Sequence, residues 1–445
     1  MLPWMIVYSA PCPALEKTAA AVQPYLSYRV PCEKEPREGF NIIRLVLDGT
    51  LDGFTIDVSE ADGEKQSITL AAKDEANLFY AASDFANIYL PYARYSGTHF
   101  EPYYLYDLFT SPMKPYHLAT SPKIDERGIW LWGFTIGDYR RFIENMASLK
   151  FNMLTIWNDS LPVNIADVID YAHKYGIRVY LGFAWGWDVV RPTDIGDAVV
   201  ETLSDKIVSQ YEREYAHLSC DGIYFQTFTE QGEDTINGIL VADAAVKLVN
   251  MTASRILDAH PSLKIQFGLH ATSVDTHLDV IAKVDPRIAI IWEDCGAFPF
   301  AYLNEPRPPF DKTLAFTKSL IGLNGGAFGA VLKGVICLNW MSFRHLSGSY
   351  MLGTDANAYV DKRVDDKREI FRYVQAYWLR HGREVLDMIR VFPKESNITC
   401  LVEDGGFEHF INLPTALYAA MLWDSTRSFD DILNETMLRP DVDLA

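Results

Sequence analysis

The segment that decides the fold is Asp221–Glu230, which reads DGIYFQTFTE. Its apolar and aromatic residues predict a short buried strand that ends in one carboxylate, followed by the polar loop 231–234. Parallel barrels keep their functional side chains at the C-terminal ends of the strands. Glu230 therefore occupies the position expected of a functional residue in such a barrel.

The same arrangement, an apolar strand followed by polar or aromatic residues, recurs along the chain from Arg127 onward. The predicted strands are 128–133, 152–158, 178–184, 222–229, 264–270, 287–293, 334–339 and 397–403. Because helical patterns separate them, they predict an α/β fold, a (β/α)8 TIM barrel. A doubly wound open sheet is the alternative, but the segment 133–137 lacks the glycine spacing of its phosphate loop.

The first part of the chain has a different order of predicted strands and helices, which indicates a small α+β domain over residues 1–115. Its predicted strands are 4–9, 41–47, 53–58 and 67–72, and its predicted helices are 14–25 and 75–88. We place the barrel and a short C-terminal helical extension in residues 116–445, with the boundary near 115–125. Arg127 begins the first barrel strand, where we expect a structural ion pair.

Composition limits the classes of ligand. The 445 residues are 49% hydrophobic and 22% charged, as in an ordinary soluble protein, and the formal net charge is -19. That charge argues against nucleic acid and against an anionic membrane surface as partners. The six cysteines lack CxxC spacing and are expected to be reduced. With no signal peptide or long apolar run, we expect a cytoplasmic protein with a small-molecule ligand, and a homodimer remains open.

The residues at the predicted strand ends indicate a carbohydrate site. Tryptophan faces stack on the apolar faces of sugar rings, and acids and amides bind hydroxyl groups. The residues expected to bind substrate are Trp157, Asn158, Asp159, Trp185, Trp187, His270, Asp294, Asn339 and Trp340. Each tryptophan could instead belong to the core, the amides could cap turns, and His270 could orient a catalytic carboxylate.

Two carboxylates are needed to break a glycosidic bond, one as proton donor and one as nucleophile or base. Glu230 is the expected acid, and we expect its aromatic neighbours to shield it from water, as suits a general acid. Glu293 and Asp294 end one strand, where neighbours point to opposite sides, and Glu293 is predicted to point inward.

The chain resembles the β-hexosaminidase and α-glucuronidase group of glycoside hydrolases. The resemblance lies in Arg127–Gly133, Asp138–Trp157 and Asp167–Val179 at the start of the barrel, and in Asn77–Ala86 before it. It implies a glycoside hydrolase with a small α+β domain ahead of a TIM barrel. Leu422–Leu433 is similar to a tail motif of these enzymes.

The two families differ at the fourth strand. A β-hexosaminidase has an Asp-Glu pair there, whose Asp orients the substrate's acetamido group, whereas Thr229 precedes Glu230 here. The segment Asp221–Gly232 is closer to the α-glucuronidase pattern, whose two water-activating carboxylates match Asp275 and Glu293. The resemblance implies Glu230 as acid and an inverting, α-glucuronidase-like outcome, with a β-N-acetylhexosaminidase-like hydrolase as the alternative. Asp275 could also be a helix N-cap.

Two further classes of function remain open at this point. A metal-dependent isomerase could use His270, His277, Glu293 and Asp294, although no HxH or HExxH motif follows a strand. A barrel that binds carbohydrate without turnover is also compatible with these residues. We expect no metal and no cofactor. A uronic acid substrate would need a basic partner, for which Arg191, Lys333 and Arg344 are available.

Overall fold

Eight parallel strands close into a barrel in the computed structural model. The structure describes residues 1–94, 107–132, 136–157, 160–186, 193–230, 232–270, 274–293, 310–332, 348–353, 357–401 and 406–445. The strands outside the barrel are β1 (Trp4–Val7), β2 (Cys32–Glu33), β3 (Asn41–Leu47), β4 (Phe54–Val58), β5 (Ser67–Ala72), β6 (Tyr116–Thr120), the hairpin β11 (Thr235–Ile236) and β12 (Ile239–Leu240), β17 (Ile411–Asn412) and β18 (Val442–Asp443). The barrel strands are β7 (Glu126–Trp132), β8 (Met153–Trp157), β9 (Arg178–Gly182), β10 (Gly222–Gln226), β13 (Lys264–Leu269), β14 (Ile288–Glu293), β15 (Phe328–Leu332) and β16 (Asn397–Leu401). Strand β16 pairs with β7 and closes the barrel, which confirms the predicted TIM barrel.

Helices follow most barrel strands and cover the outside of the barrel. They are α4 (Tyr139–Ser148), α5 (Ile165–His173), α6 (Asp197–Glu214), α7 (Val241–Ala259), α8 (Leu278–Ile281), α9 (Phe310–Leu320), α10 (Asn357–Asp366), α11 (Arg368–Ile389), α12 (Leu413–Trp423) and α13 (Phe429–Met437). The helices before the barrel are α1 (Pro13–Val22), α2 (Glu75–Asp84) and α3 (Leu90–Arg94). Capping side chains fix several of their starts, as where Asp138 accepts from the backbone N–H groups of Arg140 and Arg141. Over the described residues, none of the helices combines the length and the apolar character of a membrane span.

The N-terminal layer is one mixed sheet in the order β2-β1-β3-β5-β4-β6. Strand β6 pairs antiparallel with β4, from Phe54 opposite Thr120 to Val58 opposite Tyr116. Residues 116–120, which the sequence assigned to the barrel, are therefore the edge strand of this sheet. The barrel begins only at Glu126.

The seventh barrel strand is Phe328–Leu332, not the predicted 334–339. It pairs with β14 on one side and β16 on the other, which fixes its place in the barrel. Small residues make this strand inconspicuous in the sequence, because Gly329 and Ala330 occupy its middle. Residues 333–347 lie outside the described part of the chain.

The C-terminal helix α12 joins the sheet to the bottom of the barrel through Trp423. Its indole Nε1 donates to Thr120 Oγ1 at 2.8 Å, and its ring centroid lies 5.5 Å from that of Phe54. Arg127 packs over the same ring at 5.1 Å. The guanidinium of Arg127 donates to backbone carbonyl oxygens of Ile124 and Lys150. The expected ion pair is thus replaced by hydrogen bonds to the main chain.

Alternate strand residues fill the barrel interior. Trp130, Trp157, Tyr224, Ile291 and Val331 form an inner cluster that is separate from the core under the helices. Intervening residues of the same strands pack against the helices instead. This alternation follows from the period of two in a strand and decides which side chains reach the open end of the barrel.

Candidate active site

Glu293 is the last residue of β14, and its side chain is fully buried inside the barrel. The Tyr224 hydroxyl and the Gln226 amide both donate to its Oε1. His270 Nε2, just beyond the end of β13, lies 3.0 Å from its Oε2. The three partners come from two neighbouring strands that end at the same rim, so strand geometry alone brings them to one carboxylate.

Gly268 leaves the space in which these groups meet. A side chain at this position would overlap both the Tyr224 hydroxyl and the Glu293 carboxylate. Gly268 pairs with Gln226 on one side and with Ile291 on the other, so it stands between the strands that carry the two groups. A glycine in the middle of a strand often marks such a close approach.

An aromatic layer lies in the barrel interior beside Tyr224. The Tyr224 ring centroid is 5.7 Å from that of Trp130 and 5.6 Å from that of Trp157, both at steep interplanar angles. Trp157 ends β8 and is 1% exposed. Opposite it stands Gly182, where a side chain would meet the Trp157 ring. Trp157 is thus a buried interior residue beside Tyr224, and not an exposed platform for a sugar.

Glu230 and Asp275 are exposed, in contrast to Glu293. Glu230 is exposed although Thr227, Phe228 and Thr229 before it are buried, so the expected shielding by aromatic neighbours is not seen. Asp275 is exposed in the turn after β13. Within the described ranges, no hydrogen bond or ion pair joins either carboxylate to Glu293.

Trp185 is placed differently from its predicted role. Its side chain is 0% exposed and stacks on Phe225, with ring centroids 3.7 Å apart. Phe225 is an outward-facing residue of β10, so Trp185 packs outside the barrel wall and offers no free face to a sugar. This corrects the expectation of a sugar-stacking platform at this position.

The other predicted substrate-binding residues fall outside the part of the chain that the structure describes. They are Asn158, Asp159, Trp187, Asp294, Asn339 and Trp340. Their predicted roles stay predictions. The same holds for Arg191, Lys333 and Arg344 as partners of a negatively charged sugar.

A short hairpin follows Glu230 at this end of the barrel. Strands β11 and β12 pair antiparallel around Asn237 and Gly238, both with positive φ, as a tight hairpin turn requires. Asp234 at the base of the hairpin lies 3.3 Å from His277 Nε2, in the loop after β13. His277 is thus paired with Asp234. Over the described residues, no group of three or more His, Cys, Asp or Glu side chains could hold a metal ion.

Tyr224 and Gln226 are site residues that the sequence did not single out. They stand two residues apart on β10, and therefore on the same face of that strand. Gln266, Gly268 and His270 follow the same spacing on the next strand. If Glu230, at the end of the predicted strand 222–229, is taken as inward, the period of two places Gln226 and Tyr224 on the same face.

The fold and the site geometry define a TIM barrel with a small mixed sheet before it. No protein-family model and no curated protein sequence matches the chain. Solved structures do match it. A GH20 beta-N-acetylhexosaminidase from Streptomyces coelicolor A3(2) superposes with a TM-score of 0.54 at 11% identity, over 99% of this chain and 93% of that chain.

Two further structures show the same architecture. A beta-N-acetylhexosaminidase from Bacteroides fragilis NCTC 9343 has a TM-score of 0.53 at 14% identity, over 98% of this chain and 90% of that chain. A family 89 glycoside hydrolase from Clostridium perfringens has a TM-score of 0.50 at 10% identity, over 95% of this chain and 50% of that chain. These similarities establish that the two-part fold is one used by glycoside hydrolases.

Proposed function

We propose that the protein is a glycoside hydrolase that cleaves its substrate by acid and base catalysis with paired carboxylates. The observation that carries the proposal is the Glu293 carboxylate, buried at the C-terminal end of a barrel strand and bound by Tyr224, Gln226 and His270. A carboxylate held in this way at the functional end of a TIM barrel suits one of the two acids of glycoside hydrolysis.

In this proposal Glu230 donates a proton to the leaving oxygen, and Glu293 acts on the other side of the sugar. Glu230 is exposed, which allows it to meet a leaving group that enters from solvent. Asp275 remains the proposed second carboxylate for water activation. Trp130 and Trp157 pack against Tyr224 in the barrel interior and support the side chain that binds Glu293.

An inverting outcome follows if one water molecule fits between Glu293 and the sugar. Inverting enzymes hold their carboxyl groups about 6.5–9.5 Å apart, whereas retaining ones hold them about 5–5.5 Å apart. Proton NMR of the first product released from a defined glycoside distinguishes the two. We expect the anomer opposite to that of the substrate, and the same anomer would require a covalent intermediate on the enzyme.

The substrate is proposed to be a small oligosaccharide or glycoside. The sequence resemblance favours an uronide, and the names of two structural neighbours favour an N-acetylhexosaminide. Product analysis on a panel of defined glycosides, with uronic acid and N-acetylhexosamine substrates included, decides between them. Release of N-acetylhexosamine alone would favour the second reading despite Thr229.

Variants of the two carboxylates test the assignment. We expect Glu293→Gln and Glu230→Gln each to lower kcat by about 10²–10⁴-fold, since each removes one acid–base group. Glu233→Gln is the matched control, because Glu233 is an exposed residue three positions beyond Glu230. Equal activity of wild type and both variants would contradict the proposal. Sugar binding without any cleavage would identify a non-catalytic barrel.

A further inference from the structure

The burial of Glu293 raises the question of what compensates its charge. Removing a carboxylate from water is very unfavourable unless hydrogen-bond donors replace the water. Here Tyr224 and Gln226 donate to Oε1, and His270 approaches Oε2 at 3.0 Å. Two donors on Oε1 and an imidazole nitrogen beside Oε2 suit an ionised carboxylate, because each hydrogen bond strengthens with the charge of its acceptor.

His270 Nε2 lies between two groups with opposite demands. Gln226 Nε2, which can only donate, is 3.0 Å from it, and Glu293 Oε2 is also 3.0 Å from it. An unprotonated Nε2 accepts from Gln226, whereas a protonated Nε2 donates to Glu293. In either tautomer the Tyr224 hydroxyl and the Gln226 amide donate to Oε1 of Glu293.

We infer that Tyr224, Gln226 and His270 are positioning residues that hold Glu293 ionised and in one orientation. Given the proposed function, this assigns Glu293 to the deprotonated role, as base or nucleophile, and leaves proton donation to Glu230. Among the described residues, the titratable groups that face Glu293 are Tyr224 from β10 and His270 after β13. On the neighbouring strand β15, Val331 stands in register with it.

Tyr224→Phe tests this inference with little change in packing. It removes one hydroxyl and keeps the ring that contacts Trp130 and Trp157. The matched control is Tyr180→Phe, which removes another buried inward hydroxyl, near Gly222 at the opposite end of the barrel. Loss of a hydrogen bond to a charged group shifts the acid side of a pH–activity profile upward by about one pH unit.

The experiment measures kcat and KM from acid to neutral pH for wild type and both variants. For Tyr224→Phe we expect kcat to fall about 10-fold or more with KM nearly unchanged, and the acid limb to move up by about one pH unit. For Tyr180→Phe we expect a wild-type profile. His270→Gln, which can place an amide donor near Oε2, should recover part of the activity lost in His270→Ala. An unmoved acid limb in Tyr224→Phe would overturn the inference.

A second measurement needs no substrate and separates this inference from the proposed function. Infrared difference spectra against Glu293→Gln identify the carboxylate band of Glu293, and a pH titration follows its protonation. One outcome is that Glu293 protonates at higher pH in Tyr224→Phe while wild type cleaves no glycoside. The inference about positioning is then supported, and the proposed function is contradicted. If wild type cleaves glycosides and the band titrates identically in both proteins, the positioning is refuted and the hydrolase remains.

Discussion

At the scale of single residues, two glutamates that the sequence treats alike occupy opposite environments. Glu293 is buried among donors, and Glu230 is exposed just after a turn. The two roles in glycoside hydrolysis need this difference in environment. One glutamate must be ionised, and the other must be able to donate a proton. The environment, more than the residue type, therefore separates the two proposed roles.

Gly268 offers a residue-scale prediction about this environment. In Gly268→Ala the new methyl group overlaps the Tyr224 hydroxyl and the Glu293 carboxylate, so the hydrogen bond between them must break. We expect activity to fall about 10²-fold or more, since small displacements at a reacting group are costly. Steady-state kinetics with thermal unfolding checks this. Gly49→Ala is the control, because a methyl group there meets open space.

The result for Gly268→Ala that would contradict this account is wild-type activity in a protein that folds normally. Loss of folding would be visible as a lowered Tm and lost near-UV circular dichroism. Overpacking of a core costs about 1–3 kcal/mol, so a partial loss of stability is expected beside the loss of activity.

The residues of the site show how far a sequence can be interpreted. Glu293 and His270 were found because they end apolar runs, and their inward direction follows from the strand period. Tyr224 and Gln226 were missed because an aromatic residue and an amide inside a strand look like core. The residues around Trp185 in the sequence also do not show whether its ring is buried or stacks on a sugar. Its burial depends on Phe225, which comes from the neighbouring strand.

At the scale of elements, the position of the seventh barrel strand could not be predicted from the apolar pattern of the sequence. Apolar runs of similar length lie at 328–332 and 334–339; the first is barrel strand β15, and the second lies outside the described residues. The run at 334–339 contains more β-branched residues, so propensity favoured it. The structure places residues 328–332 between β14 and β16, with Gly329 and Ala330 in the paired region. Small residues are suited to this position because the interior of a barrel is closely packed.

A buried ion pair joins helix α2 to the turn between α4 and β8. Lys150 Nζ lies 2.6 Å from Asp84 Oδ1, and both side chains are almost fully buried. Burial lowers the pKa of Lys150, against the opposing attraction of Asp84. The pair therefore connects helix α2 of the N-terminal part to the barrel. Its contribution to the stability of the fold depends on both partners being present.

Removing one partner of this pair should destabilise the whole protein. We expect Lys150→Met to lower the free energy of unfolding by about 3 kcal/mol or more, because Asp84 is left buried without its nearest cation. Urea unfolding measures this. The double variant Asp84→Asn with Lys150→Met should lose less than the sum of the single variants. Additive losses would show that the two side chains act independently.

At the scale of the whole molecule, the last residues of the chain hold the two parts together. Asp441 accepts hydrogen bonds from Asn87 of the N-terminal layer at 2.8 Å and from Ser148 of α4 at 3.1 Å. Arg439 donates to the same carboxylate at 2.8 Å. Three distant segments thus meet at one acid, and a sequence pattern does not reveal such a meeting because no local period encodes it.

The protonation of Asp441 should therefore make the stability of the whole chain depend on pH. Burial alone would raise the pKa of Asp441, but Arg439 and the hydrogen bonds lower it below its ordinary value of 3.8. A carboxyl whose pKa is lowered by folding stabilises the folded state fully above the unfolded value, and this contribution is lost as the pH falls through the folded value. We expect the free energy of unfolding to decrease on the acid side for this reason.

Asp441→Asn should be less stable at neutral pH and should lose less stability than wild type on acidification below 3.8. Urea unfolding at a series of pH values measures both effects, with Asp443→Asn, at an exposed neighbour, as the control. Parallel pH curves for wild type and Asp441→Asn would show that this acid does not couple protonation to folding.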